Sequence, residues 1–148
     1  MKKLICAALA VLLCFTLAGC SGIETSKTYT FAVTTGDKIS VTLRTGDGYE
    51  LDQDNGQLSV SKDDVTILNG MFLHSEAYSM YEENIAATAE RYEVIDNGLF
   101  YQYAGEVGTE NDFLIMIPDS NTLVILGSLS DEAAAKAAFE RLSFKTAD

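Results

Sequence analysis

Past residue 20 this chain has no cysteine: all three, Cys6, Cys14 and Cys20, fall at its start. Residues 21–148 therefore have no disulfide framework and no thiol nucleophile, and their stability rests on a packed core. Tryptophan is absent, and proline and histidine occur once each, as Pro118 and His74. A single histidine excludes multi-histidine metal sites and leaves a catalytic triad one possible base. Basic residues are scarce as well, ten Lys and Arg against 22 Asp and Glu. A surface of that sign repels phosphates, which excludes DNA or RNA as a partner and makes charge attraction to anionic headgroups a poor anchor. No Gly-x-Ser-x-Gly elbow and no phosphate-cradling glycine loop is present, the glycines being scattered and mostly at turns.

The first 20 residues carry the strongest pattern. Met1-Lys2-Lys3 precedes a nearly unbroken apolar run from Leu4 to Leu17, and Ala18-Gly19-Cys20 follows. The run is shorter than the roughly 20 residues a membrane-spanning helix needs. Cationic start, short apolar core, small residues and cysteine, in that order, resemble the signal peptide and lipobox of a bacterial lipoprotein. The resemblance implies removal of residues 1–19 and attachment of a diacylglycerol to the Cys20 sulfur, often with a third acyl chain, such as palmitate, on the freed amine. Each buried methylene contributes about 0.8 kcal/mol, so two or three chains hold durably where one is marginal. The expected location is the extracytoplasmic face of the cell membrane, lipid-anchored. Ser21 stands where an aspartate would favour inner-membrane retention in Gram-negative lipoproteins. Residues 20–27 read as a short tether, of which the seven from Ser21 reach at most about 25 Å. Residues 28–148 read as a single domain. Residues 20–148 hold eight bases against 22 acids, a balance of −14.

Alternating apolar residues mark strands over 28–34 and 39–44, parted by Gly36-Asp37. Two further pairs, 49–52 with 57–61 and 91–96 with 99–104, flank Asn55-Gly56 and Asn97-Gly98, dipeptides suited to a type I′ turn. Residues 65–73 read as a strand, bulged at Gly70. Residues 75–89 change period, with Tyr78, Tyr81 and Ile85 on one face of a helix and Glu76, Glu83 and Glu90 opposite. Phe113–Ile117 and Leu123–Leu126 are apolar at successive positions, so both faces of these strands are expected to be buried in mid-sheet. A second helix is expected over 131–142, capped by Ser128 or Ser130, with Ala135, Ala138, Phe139 and Leu142 inward.

Two amphipathic helices and a sheet buried on both faces predict an α+β domain, an antiparallel sheet of hairpins with helices packed on both faces, that is, an α/β/α sandwich. The alternative is a one-sided α+β sheet that dimerises through its other face. The element order, with a C-terminal helix running into Ser143-Phe144-Lys145, resembles the PsbP-like fold. In that family a Pro-x-Gly-Trp-like turn often closes the first segment; here Thr45-Gly46-Asp47-Gly48-Tyr49 occupies the matching place, without proline and with tyrosine for tryptophan. The resemblance spans about residues 28–146. It implies an accessory, assembly or binding role without catalysis, and it carries no set of functional residues.

Candidate chemistry beyond Cys20 is sparse. His74, at a strand–helix junction, has only Glu76 as a local partner for general-base or ligand work. Glu50, Asp52 and Asp54 alternate like a calcium loop, but an EF-hand needs glycine sixth and an acid twelfth, where Asn55 and Ser61 stand. Asp63-Asp64 and Glu82-Glu83 are adjacent acids with no sign of the cleft that glycosidase carboxylates need. No catalytic residue, metal ligand or cofactor is assigned. The expected function is a lipid-anchored, extracytoplasmic, non-enzymatic binding or accessory protein of the bacterial cell envelope, held to the membrane by its acyl chains and serving an unidentified envelope protein or ligand. Its alternatives are divalent-cation binding through the acidic loops, with Asp52 and Asp54 as ligands, and a structural subunit pairing through its sheet.

Overall fold

The computed structural model describes residues 24–148. Its elements are β1 (Ser26–Ala32), β2 (Lys38–Arg44), β3 (Tyr49–Asp54), β4 (Gln57–Lys62) and β5 (Val65–His74), then a 3-10 turn (Ser75–Ala77) and α1 (Tyr78–Thr88). They are followed by β6 (Arg91–Ile95), β7 (Gly98–Gly105), β8 (Gly108–Met116), β9 (Thr122–Gly127), α2 (Glu132–Phe139) and β10 (Leu142–Thr146). The strands form two antiparallel sheets, β1-β2-β10 and β3-β4-β5-β9-β8-β7-β6.

This overturns the expected α/β/α sandwich. The described residues are mostly strand, and their helices, 11 and 8 residues long, are local covers and not layers. The main cover on one face of the large sheet is the small sheet. Phe31, Ile39, Val41 and Leu43 from β1 and β2 meet Leu51, Leu58, Val60, Leu68, Phe100, Phe113, Val124 and Leu126 of the large sheet in one core. Ala135 and Ala138 bring α2 into the same core, and its Phe139 stacks on Phe113 with ring centroids 4.3 Å apart. The reason for the difference lies in residues 142–146. Leu142 and Phe144 turn inward between exposed Ser143 and Lys145, a two-residue period, and the segment pairs with β2 instead of prolonging the helix. The helix also starts later than expected, with Asp131 as its cap, accepting from Ala134 N at 2.8 Å.

The opposite face is covered only in part. Ile85 of α1 is buried against Leu99, Tyr101, Leu114 and Leu123, with Tyr78 and Tyr81 beside it. Strands β8 and β9 lie in the middle of the order, buried on both faces around Leu114 and Leu123, in keeping with their continuous apolar sequence, and only half-buried on one face at Asp112, Ile125 and Gly127. The β4–β5 ladder shifts register between Val60 and Ser61, and Gly70 is not the bulge. Gly70 is instead a packing position: a Cβ there would lie 2.6 Å from Leu126 Cδ2 and 2.8 Å from Leu58 Cγ. The β6–β7 turn is Asp96-Asn97, with Asn97 at φ 57° and Ile95 paired to Gly98. Gly98 lies within β7, where a side chain would strike the Leu114 carbonyl of β8.

Candidate functional site

The part of the large sheet that α1 leaves open forms a shallow groove. One part, about 460 Å³, is lined by Thr66, Ile67 and Asn69 of β5, Glu110 and Asp112 of β8, Gly127 of β9 and the Ser128-Leu129 loop. Asn69 and Gly127 also line an adjoining hollow of about 240 Å³, walled by Gln57, Met71 and Ile125. Four rigid strands thus supply a floor that is apolar at Met71 and Ile125 and polar at Asn69 and Asp112. Met71 is 46% exposed there.

Asp112 is the group with unusual chemistry. It stands on a central strand beside Tyr101 of β7, one residue before buried Phe113. Its one hydrogen bond comes from Ser128 N, at 3.3 Å to Oδ1. Burial pushes its pKa up to about 6; the Ser128 bond opposes the rise, and the charge of nearby Glu110 adds to it. Burial likewise pushes the Tyr101 phenol upward, with Asp112 contributing. Gly127 lies beside the carboxylate: a Cβ there would be in ordinary contact, 3.4 Å from Asp112 Oδ1.

The loop beside it is fixed by Asn111, which is only 2% exposed. Asn111 N donates to Ser128 O at 2.9 Å, and its Nδ2 donates to Ser130 O at 2.8 Å. Its Oδ1 accepts from Gln102 Nε2 at 2.8 Å, and Gln102 donates also to Glu132 at 3.1 Å. Arg91, Glu93, Glu132 and Lys136 extend this into a surface ion network, with Lys136 Nζ 2.6 Å from Glu93 and 2.9 Å from Glu132. The arrangement holds Ser128 N against Asp112, so the groove's polar contact is set before anything binds.

A second cleft, about 470 Å³, lies where the described chain begins, lined by Glu24, Thr25, Arg44, Asp47 and Arg141 among others. Its cations are already engaged. Arg141 donates to Asp47 at 2.6 Å and lies over the Tyr49 ring, and Arg44 donates to the Glu140 carbonyl at 2.9 Å. They clamp the end of α2 to β2, and we favour the groove as the site.

Cys20 lies outside the described residues. His74 ends β5 on the surface, paired with Thr122 of β9. The nearby carboxylate, Asp37, is occupied: it accepts from Thr122 Oγ1 at 2.7 Å, Asn121 N at 2.8 Å and Thr35 Oγ1 at 3.2 Å. These bonds, the Thr122 hydroxyl first, hold Asp37 below the usual carboxylate range, with His74 a minor cause. They tie the β1–β2 turn to the β8–β9 loop and so join the two sheets. Glu50, Asp52 and Asp54 point outward along edge strand β3. Among the described residues no group of three or more His, Cys, Asp or Glu side chains is placed to hold a metal ion. Asp63-Asp64 forms the β4–β5 turn, at φ 50° and 65°, and Glu82-Glu83 is exposed on α1. None of these reaches the groove.

The sequence reading missed Asp112, Asn69 and Gly127. The available signal was Asp112 itself, an acid heading a strand expected to be buried on both faces, where a carboxylate is costly. No protein-family model, curated protein or solved structure matches the chain. No helix among the described residues is long and apolar enough to cross a membrane.

Proposed function

We propose that this protein is a lipid-anchored, extracytoplasmic binding or accessory module, fixed to the membrane through Cys20, with the groove over β4, β5, β9 and β8 as its ligand site. The observation that carries the reading is Asp112, a carboxylate held on a rigid sheet in a position that penalises its charge. Such a group gains most from a ligand that donates a hydrogen bond or a positive charge to it. Met71 and Ile125 offer apolar surface beside it, so the fitting ligand has a donor or cationic head and an apolar body. The acidic surface of the domain favours the same sign of ligand. The reading is of binding, carried by Asp112 beside apolar Met71 and Ile125, with His74 on another part of the surface.

Two measurements test the two halves. Metabolic labelling with palmitate is expected to mark the native chain and not a Cys20→Ser version, which leaves the membrane fraction; an unlabelled native chain refutes the anchor. For the groove, a library of amine-bearing compounds and basic peptides is screened by amide chemical shifts. Shifts are expected at Asn69, Met71, Asp112 and Gly127 and are lost in Asp112→Asn. A binder that perturbs the Arg44 cleft and leaves these four unmoved refutes the site.

A further inference from the structure

Strand β6 closes one end of the large sheet, and among the described residues it pairs with β7 alone. Exposed edges invite pairing with another chain, and proteins usually blunt them with proline, lysine, a bulge or repelling charge. The other edge, β3, is blunted by outward Glu50, Asp52 and Asp54. Strand β6 has no proline, no lysine and an unbroken ladder with β7. Tyr92 and Val94 of β6 are 49% and 80% exposed beside Tyr101 and Leu99, which α1 covers. On the opposite face Arg91 and Glu93 join the ion network, where they lie 3.5 Å from one another.

We infer that β6 pairs antiparallel with β6 of a second copy of this chain, joining the two large sheets edge to edge. A twofold axis normal to the sheet keeps each face on its own side, so a residue must oppose one that points the same way. The register then centres on Tyr92, Glu93 or Val94. Centring on Glu93 sets Glu93 against the partner's Glu93 and Glu90 against the partner's Asp96, two kinds of like-charge pair. Centring on Val94 sets Glu93 against the apolar side chain of the partner's Ile95. Centring on Tyr92 stacks two tyrosines and sets Arg91 opposite the partner's Glu93, twice over, with Glu90, just outside the strand, beside the partner's Val94. Opposite charges and aromatic pairs stabilise cross-strand contacts, and like charges weaken them. Of the three, the Tyr92 register alone opposes unlike charges. Glu93 keeps Lys136 in that arrangement, and Arg91 keeps its two-point contact with Glu132, at 3.1 and 3.2 Å, while its long 3.5 Å contact with Glu93 is replaced by one across the dimer. The inference needs neither the acyl anchor nor the groove.

The register gives the experiment. In a chain whose three cysteines, Cys6, Cys14 and Cys20, are replaced by serine, one introduced thiol reports alone. Directly opposed residues of an antiparallel pair have Cα atoms about 4.5–5.5 Å apart, within the span of a disulfide. Tyr92→Cys is expected to form a covalent dimer under mild oxidation. Val94→Cys is expected to stay monomeric, although it is the more exposed site, because its copies lie about 13 Å apart in this register. Equal linking at both positions, or preferential linking at 94, overturns the proposal. Sedimentation of the native chain in mild detergent covers the case in which removing the tyrosine itself prevents pairing. The native chain is expected to sediment as a dimer and Tyr92→Lys as a monomer; a native monomer at 100-fold the concentration used for linking also overturns the proposal.

Discussion

Replacing Asp112 with asparagine should stabilise this protein, and only at higher pH. A carboxyl that titrates at about 6 in the folded state and at 3.8 when unfolded keeps its proton more tightly when folded. The folded state is thus favoured below pH 3.8 and loses that advantage as pH climbs through 6. Full charging at pH 8 would cost about 3 kcal/mol for a group shielded from solvent. The Asp112 carboxyl opens onto the groove, and solvent screening reduces this to about 1–2 kcal/mol. Asparagine keeps an oxygen for Ser128 N and carries no charge. The variant is expected to match the native protein at pH 4, to gain across pH 4–6, and to hold a gain of about 1–2 kcal/mol above pH 7. Urea denaturation followed by circular dichroism reads this, and the pH dependence of the difference cancels other titrating groups. A variant that is less stable at pH 8, or whose difference from native is flat between pH 4 and 8, would falsify the account of Asp112 as a charge held at a cost.

Other expectations concern the frame around the groove. Phe113→Ala removes a ring packed between Phe100 and Phe139 and should cost about 3–5 kcal/mol in the same denaturation assay. Gly98→Ala should be worse than Gly70→Ala: the first drives a methyl into the Leu114 carbonyl, the second into leucine side chains that can shift, at about 1–3 kcal/mol. Equal melting temperatures for these two variants would show that β7 and β8 can separate slightly. Asp37→Asn should lower stability at neutral pH, and its deficit should shrink as pH falls below 3.8, because the native carboxylate is held below that value and then takes up its proton. A deficit that persists at pH 2 would assign the loss to geometry and not to charge.

Most strands were legible because their signals are local. The alternation of Phe31, Ile39, Val41 and Leu43 follows from a two-residue period, and Asn55-Gly56 sits at φ 50° and 80° as its turn chemistry suggests. The continuous apolar character of β8 and β9 placed them in mid-sheet. The sheet division was not legible. Nothing in the sequence of β2 says that its neighbours are β1 and β10 and not β3, since a strand's period records which face is buried and not what lies beside it. The C-terminal segment misled for a related reason. Leu142 continues the helical spacing of Ala135, Ala138 and Phe139, while Leu142 and Phe144 also fit a strand, and the open edge of β2 settled which pattern held. One misread strand then changed the architecture, because it supplies the sheet that covers the core in place of a helix.

The groove was harder to foresee, for its residues come from four strands and are neighbours only once the order β4-β5-β9-β8 exists. Each looks ordinary alone: Asn69 and Gly127 as strand polar and strand end, Met71 as core, Asp112 as surface charge. The acids that drew attention in the sequence, Glu50, Asp52 and Asp54, share an open edge where solvent screens them and holding them there is cheap. Asp112 is one carboxylate at the centre of the sheet, and there the same charge is costly. Adjacency in sequence multiplies acids without raising their energy, whereas burial raises the energy of a single acid. The position most open to a ligand's gain is therefore the isolated carboxylate on the apolar strand. If ligands of the donor class bind here, their affinity should rise as pH passes from 5 to 7 and Asp112 ionises, and affinity that falls over this range would exclude Asp112 as the recognising group.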